Sequence, residues 1–324
     1  MKVESQYIGT NYVIYTGDCC QIIKGIPDNS VHYELHSPPF SQLYIYSDSI
    51  SDMGNCKDDD EFFTHYRFLI PELYRILIPG RLCSVHCKDL VDYKGSSGRA
   101  GLRDFSGAII RAFEDGGFKY HSRVTIWKDP VIEMQRTKSQ GLLHKQIKSD
   151  STMSRQGLPD YLLTFRKWPE DGETSGPEPV CRPNGFKKDD YVGDEKPDFK
   201  FRPIADELDT EPTYDSILIW QKYASPVWFD INQTRVLNSK LCRNEEDEKH
   251  ICPLQLDVIE RAIHLWTLPG DVVFTPFAGI GSELYGALNQ GRKAIGIELK
   301  PEYAEFANSF CNQIETAGKQ LQLF

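Results

Sequence analysis

Two short loops, one near each end, constrain this chain more than any other feature. Ser37-Pro38-Pro39-Phe40 follows a run of strand length, Val31 to His36, and Thr275-Pro276-Phe277-Ala278-Gly279-Ile280-Gly281-Ser282 follows a second such run at 271–274. Each loop therefore reads as lying at the carboxyl end of a strand. In open α/β sheets ligands bind there, in the crevice beyond the strand tips. The pair predicts one site assembled from both ends of the chain.

The glycine-bearing loop has the clearer physics. Gly279 and Gly281 allow close backbone approach and positive φ, and Ser282, Leu284, Ala287 and Leu288 can start a helix behind them. A second strand, Ala294 to Ile297, ends in Glu298. That acid stands about 20 positions beyond the loop, as in dinucleotide sites, where it accepts hydrogen bonds from ribose hydroxyls. A lone Gly-x-Gly is equally a structural tight turn; the flanking strands and Glu298 turn the reading toward a nucleoside. NAD fits poorly. The third glycine of its fingerprint is missing, and Glu283 would put negative charge at the helix start that receives the pyrophosphate. A cationic or phosphate-free nucleoside fits better, and S-adenosylmethionine is one.

Pro276 to Ser282 resembles the cofactor loop of the S-adenosylmethionine-dependent DNA amino-methyltransferases, the N4-cytosine/N6-adenine family, and Ser37 to Phe40 resembles their catalytic loop. The chain is similar to the permuted, beta-class arrangement, in which the catalytic half precedes the cofactor half, and to members carried by bacteriophages and prophages. The likeness is good over 10–165 and 215–315 and poor between them. Thr275 stands where the family usually has Asp, and Ile280 and Ser282 replace the commoner small and threonine residues. A carboxylate contact to the methionine amine is therefore left unassigned.

The resemblance implies a Rossmann-like class I methyltransferase fold: α/β, a doubly wound, mostly parallel sheet, circularly permuted, with an inserted target-recognition region. It implies S-adenosylmethionine as cofactor, bound by Pro276, Phe277, Ala278, Gly279, Gly281, Ser282 and Glu298. Asp18 should lie near the cofactor, although as the cap of the helix after it the residue would look the same. Ile251 to Arg261 resembles the segment that packs over the methionine end; most of it reads as an amphipathic helix, with Pro253 and Gln255 as cofactor neighbours. Counting strands agrees with permutation. After Glu298 only a helix from Pro301 to Ile314 is predicted, and the remaining strands, Tyr12 to Tyr15 and Val31 to His36, come first.

The chemistry accounts for the residue types of the catalytic loop. An exocyclic base amine is a weak nucleophile because its lone pair is delocalised into the ring, so its N–H groups must be held while that lone pair turns toward the methyl group. Pro38 and Pro39 stiffen the loop, leaving the Pro38 carbonyl and the Ser37 hydroxyl as aimed acceptors, and Phe40 offers a flat face. A paired base cannot reach such a site, so the target must flip out. Serine at the first position leans toward N4 of cytosine; N6 of adenine is the alternative, and a non-catalytic DNA-binding module retaining the fold is a further one.

The 324 residues, 40% apolar, suffice for one large core with an appendage. The organisation expected is a catalytic half at 1–127, an inserted target-recognition region at 128–215 and a cofactor half at 216–324. No apolar run approaches a membrane span, no signal peptide is evident, and nine cysteines without CxxC pairs fit a reduced compartment, so a cytoplasmic bacterial protein, of a restriction-modification system or phage-encoded, is expected. Cys83, His86 and Cys87 invite a zinc reading but sit in a predicted core strand without a second ligand pair, and no metal is expected.

Net charge is −10, unusual for a partner of double-stranded DNA, but residues 128–167 carry eight Lys or Arg against four acids. Lys128, Arg136, Lys138, His144, Lys145, Arg155 and Gln156 are the DNA-binding candidates. A solvated loop is the plainer reading of that stretch. The run Asp58 to Glu61 reads as the acidic start of a helix over 62–73, and Tyr44, Tyr46 and 48–55 as a loop able to close over the site. A homodimer is possible on this reading.

Overall fold

The computed structural model describes residues 3–40, 51–137, 150, 152, 154–169, 221–237 and 254–321. In chain order the strands are β1 (Ser5–Ile8), β2 (Tyr12–Thr16), β3 (Val31–His36), β4 (Leu77–Cys87), β5 (Leu90–Asp92), β6 (Gly101–Arg103), β7 (Lys119–Ile126), β8 (Asp160–Arg166), β9 (Val227–Trp228), β10 (Val272–Thr275) and β11 (Lys293–Glu298). Among the described residues β5 and β6 form a separate hairpin, and the other nine strands form one sheet in the order β1-β2-β11-β10-β3-β4-β8-β7-β9.

The strands from the two ends of the chain interleave. β10 lies between β11 and β3, parallel to both, and β11 lies parallel to β2. β3 pairs in parallel with β4, whereas β8 runs antiparallel between β4 and β7. The tips of β2, β11, β10, β3 and β4 therefore share one edge of the sheet. β3 is buried at five of six positions, as a central strand covered on both faces must be.

Alternation along the strands separates two cores. Tyr33, Leu35, Leu162 and Val273 pack with the helices Leu256–Trp266, Ser282–Asn289 and Pro301–Leu321. Cys83, Val85, Leu163, Phe165 and Phe274 pack on the other face with the helices Asp59–Ile76 and Phe105–Asp115. Helices on both faces of a mostly parallel sheet make the doubly wound α/β architecture expected from the sequence.

Local chemistry sets the helix ends. Asp58 caps Asp59–Ile76 by accepting from the Glu61 N–H at 2.8 Å, and Glu61 accepts from the Lys57 N–H at 2.6 Å. The acidic run thus starts the helix, which extends further at both ends than the expected 62–73. Cys83 and Cys87 point into one core with Val85, while His86, between them, faces the opposite way; the three cannot converge on one ion. No helix among the described residues is long and apolar enough to cross a membrane.

Candidate active site

Both predicted loops occupy adjacent strand tips, since β3 and β10 are neighbours in the sheet. The glycine loop is built by backbone hydrogen bonds. The Ala278 N–H donates to the Ile297 carbonyl at 2.8 Å and the Gly281 N–H to the Ala278 carbonyl at 2.7 Å. Gly279 and Gly281 have φ of 52° and 90°, the left-handed region that favours glycine. Their surroundings differ. A Cβ on Gly281 would lie 2.8 Å from the Ala307 Cβ, whereas one on Gly279 would meet nothing within 4 Å. Gly281 thus serves close packing, and Gly279 presents bare backbone to open space at the N-terminus of helix Ser282–Asn289.

Glu298 closes this end of the site. One carboxylate oxygen accepts the Gly279 N–H at 2.6 Å and the other the Lys300 N–H at 2.9 Å, which leaves further lone pairs on both oxygens. Burial pushes its carboxyl up to about 7. Glu283, in the first turn of the helix, is pushed up to about 8, chiefly by burial and further by the charge of Glu298. The two carboxyls therefore share one buried region. Thr275, in place of the family's Asp, is buried, and its hydroxyl has no partner among the described residues.

Pro276, Ala278 and Ser282 are buried, while Phe277 turns its ring toward His36 and Tyr66, at 5.8 and 6.4 Å between centroids. Asp18 caps its helix, accepting from the Cys20 N–H at 2.8 Å; the Gly17 N–H donates to the Glu298 carbonyl at 2.9 Å, so Asp18 also stands at the tip beside Glu298. Gln255 is the N-cap of helix Leu256–Trp266, and its buried side-chain oxygen has no partner among the described residues. Pro253 lies outside the described residues.

The catalytic loop is tied to a group that sequence reasoning missed. Ser37 Oγ lies 2.8 Å from His86 Nδ1, and His86 Nε2 lies 3.1 Å from Asp160 Oδ2. Lys128 Nζ reaches the same carboxylate oxygen at 2.6 Å. Burial works against the charge of Asp160, but the hydrogen bonds and charges of His86 and Lys128 outweigh it and hold the carboxyl well below the usual range.

Strand geometry explains the grouping. His36 is opposite Val85 in the β3–β4 register, so the next residues, Ser37 and His86, lie side by side. His86 is opposite Leu162, and Asp160 lies two residues from Leu162 on the same face of β8. Ile126 is opposite Asp160, and Lys128 follows two residues later. Pro38 is buried, Pro39 half-buried, and the Phe40 ring meets His86 and Phe105 edge-on at 6.3 and 6.1 Å. His36 itself faces the opposite core, with Nε2 2.7 Å from the Tyr66 hydroxyl, and burial pushes it down to about 3.

The DNA candidates are less fully placed. Lys128, expected to reach phosphates, instead has a buried side chain engaged by Asp160, because its position past β7 turns it into the strand-tip cluster. Arg136 belongs to helix Pro130–Thr137. The Arg155 guanidinium donates to the Gln156 carbonyl at 2.9 Å, and Gln156 is exposed. Lys138, His144 and Lys145 lie outside the described residues, as do 41–50, with Tyr44 and Tyr46, and 170–220, most of the expected insertion.

A family model described as DNA methylase, covering N6 and N4 enzymes, matches residues 31–309. The chain belongs to this N6/N4 DNA methylase family. Among curated relatives, the type II methyltransferase M.BglII of Bacillus subtilis is 26% identical over 91% of this chain and 67% of its own length. M.MjaI of Methanocaldococcus jannaschii is 22% identical over 90% of this chain and 88% of its own. Two solved structures share the fold. A DNA modification methylase of Thermus thermophilus, TTHA0409, complexed with S-adenosyl-L-methionine, is similar with a TM-score of 0.57 at 20% identity, covering 94% of this chain and 96% of that one. The cytosine-N4-specific PvuII DNA methyltransferase has a TM-score of 0.56 at 18% identity, covering 97% and 94%.

Proposed function

We propose that this chain moves a methyl group from S-adenosylmethionine to the exocyclic amine of a base flipped out of double-stranded DNA, with N4 of cytosine as the preferred target. The observation that carries the reading is the placement of Ser37-Pro38-Pro39-Phe40 and the Thr275–Ser282 loop on adjacent strand tips, in a chain of the DNA methylase family. Interleaving of the terminal strands in one sheet supports the permuted, beta-class order.

The residues suit the cofactor. Bare backbone at Gly279, the spare acceptor capacity of Glu298 and the buried oxygen of Gln255 match a nucleoside with a polar tail and no phosphate. S-adenosylmethionine supplies an electrophilic methyl group on a sulfonium. Pro276 to Ser282 would hold it from one side and Gln255 from the other, with Glu298 taking the ribose hydroxyls. The protein's own contribution is orientation. Ser37 Oγ and the Pro38 carbonyl accept from the amine's N–H groups, so that the nitrogen lone pair points out of the conjugated ring plane, and Phe40 supports the base.

DNA contact is proposed for the stretch that includes Arg136, Lys138, His144, Lys145, Arg155 and Gln156. The lean toward cytosine rests on serine at position 37. Transfer of labelled methyl from S-adenosylmethionine to unmethylated duplex DNA, but not to RNA, is the expected result, with binding that weakens steeply as salt rises. Labelling of RNA alone would overturn the substrate.

A further inference from the structure

The Ser37–His86–Asp160–Lys128 cluster takes no part in the reading above beyond Ser37 itself, and its hydrogen bonds have a direction. Asp160 is an acceptor held between two donors, Lys128 Nζ at 2.6 Å and His86 Nε2 at 3.1 Å. A neutral imidazole bonded in this way carries its proton on Nε2 and has a lone pair on Nδ1. The Ser37 hydroxyl, 2.8 Å from Nδ1, must then donate to it. Both Oγ lone pairs are left for the substrate.

We infer that His86, fixed by Asp160 and Lys128, is a positioning residue that makes Ser37 a pure acceptor for the target amine and then takes the proton this amine must lose. The inference rests on the reading that Ser37 faces that amine. The step balances. As the amine nitrogen forms its bond to the methyl carbon, the carbon–sulfur pair returns to sulfur, and the nitrogen becomes cationic. The N–H bond then breaks with its electrons left on nitrogen, the proton passes to Ser37 Oγ, and the hydroxyl's original proton passes to His86 Nδ1. The imidazolium formed lies against the Asp160 carboxylate and later releases the proton to water. A bare serine lacks this route: it would have to take a proton with nowhere to send it.

Two measurements test this. Nitrogen-15 NMR of the wild-type apoprotein, with His86 assigned by its loss in His86→Asn, should show the proton on Nε2. A proton on Nδ1 would overturn the inference, and in Asp160→Asn, whose amide can donate to Nε2, the Nδ1 form is the one expected. Single-turnover methyl transfer should fall on the order of 10²-fold in both Ser37→Ala and His86→Phe. His86→Asn, whose amide oxygen can stand near the place of Nδ1, should recover part of that loss. The double variant Ser37→Ala/His86→Phe should be no slower than Ser37→Ala alone, because His86 acts through Ser37. Equal His86→Phe losses in both backgrounds would mean a merely structural role, and the relay fails. An unimpaired Ser37→Ala would instead sink the reading of Ser37 beneath it. Calorimetric binding of S-adenosylmethionine, expected unchanged in each variant, identifies any that fails to fold; the wild-type NMR result then decides.

Discussion

Glu298 holds the backbone N–H of Gly279 at 2.6 Å, so the acid that ends β11 also shapes the loop that follows β10. This couples the two halves of a nucleoside site through one hydrogen bond. Glu298→Ala would leave the N–H groups of Gly279 and Lys300 without their acceptor, at a cost of about 1–3 kcal/mol each where they are buried. S-adenosylmethionine affinity should drop by roughly 10-fold or more in calorimetry. Unchanged affinity would remove Glu298 from the site.

The two loop glycines should fail differently. Gly279→Trp projects into open space, so the protein should stay folded, with a penalty of about 1–2 kcal/mol for the left-handed backbone, while binding and methyl transfer are both lost. Gly281→Ala meets Ala307 at 2.8 Å and should lower the melting temperature more than Gly279→Ala does. Normal S-adenosylmethionine binding by Gly279→Trp would end the assignment of this loop.

Glu283 gives the fold a pH dependence. Its carboxyl is raised from 4.5 to about 8, first by burial. A raised carboxyl favours folding fully below its unfolded value, and this contribution is lost as pH climbs through the folded one. Stability should therefore decline from about pH 4.5 to about pH 8, by at most about 1.4 kcal/mol per pH unit, and Glu298, raised to about 7, adds to the same trend. Glu283→Gln should flatten the curve and raise the melting temperature most at the alkaline end. Parallel wild-type and variant curves would contradict this.

Lys128 should not behave as a phosphate contact. Its ammonium is engaged by Asp160, so Lys128→Gln should leave the slope of log DNA affinity against log salt unchanged while lowering the methylation rate. A slope shallower by about one phosphate contact would show that the lysine leaves Asp160 to meet DNA.

The sequence made the strand-tip loops legible because each carries its own local signal: prolines and glycines after a strand-length run, and an acid at the end of the next strand. β3 spans the residues expected, Val31–His36, and the glycine loop starts its helix at Ser282 as expected. Asp18 stayed ambiguous because a cap and a ligand neighbour look alike in sequence; the structure shows the cap. His86 and Asp160 were not legible as partners of Ser37. They stand 49 and 74 residues from the group each one contacts, and only the registers of β3, β4 and β8 bring them together. Local periodicity carries no trace of such registers, and His86 between two cysteines drew attention toward a metal instead.

Nucleoside mass spectrometry of previously unmethylated DNA, incubated with the protein and S-adenosylmethionine, tests the central claim most directly. N4-methylcytosine is the predicted product. N6-methyladenine would preserve amine methylation and overturn the base, whereas methylation at a ring carbon, or no modified nucleoside despite S-adenosylmethionine binding, would contradict the account.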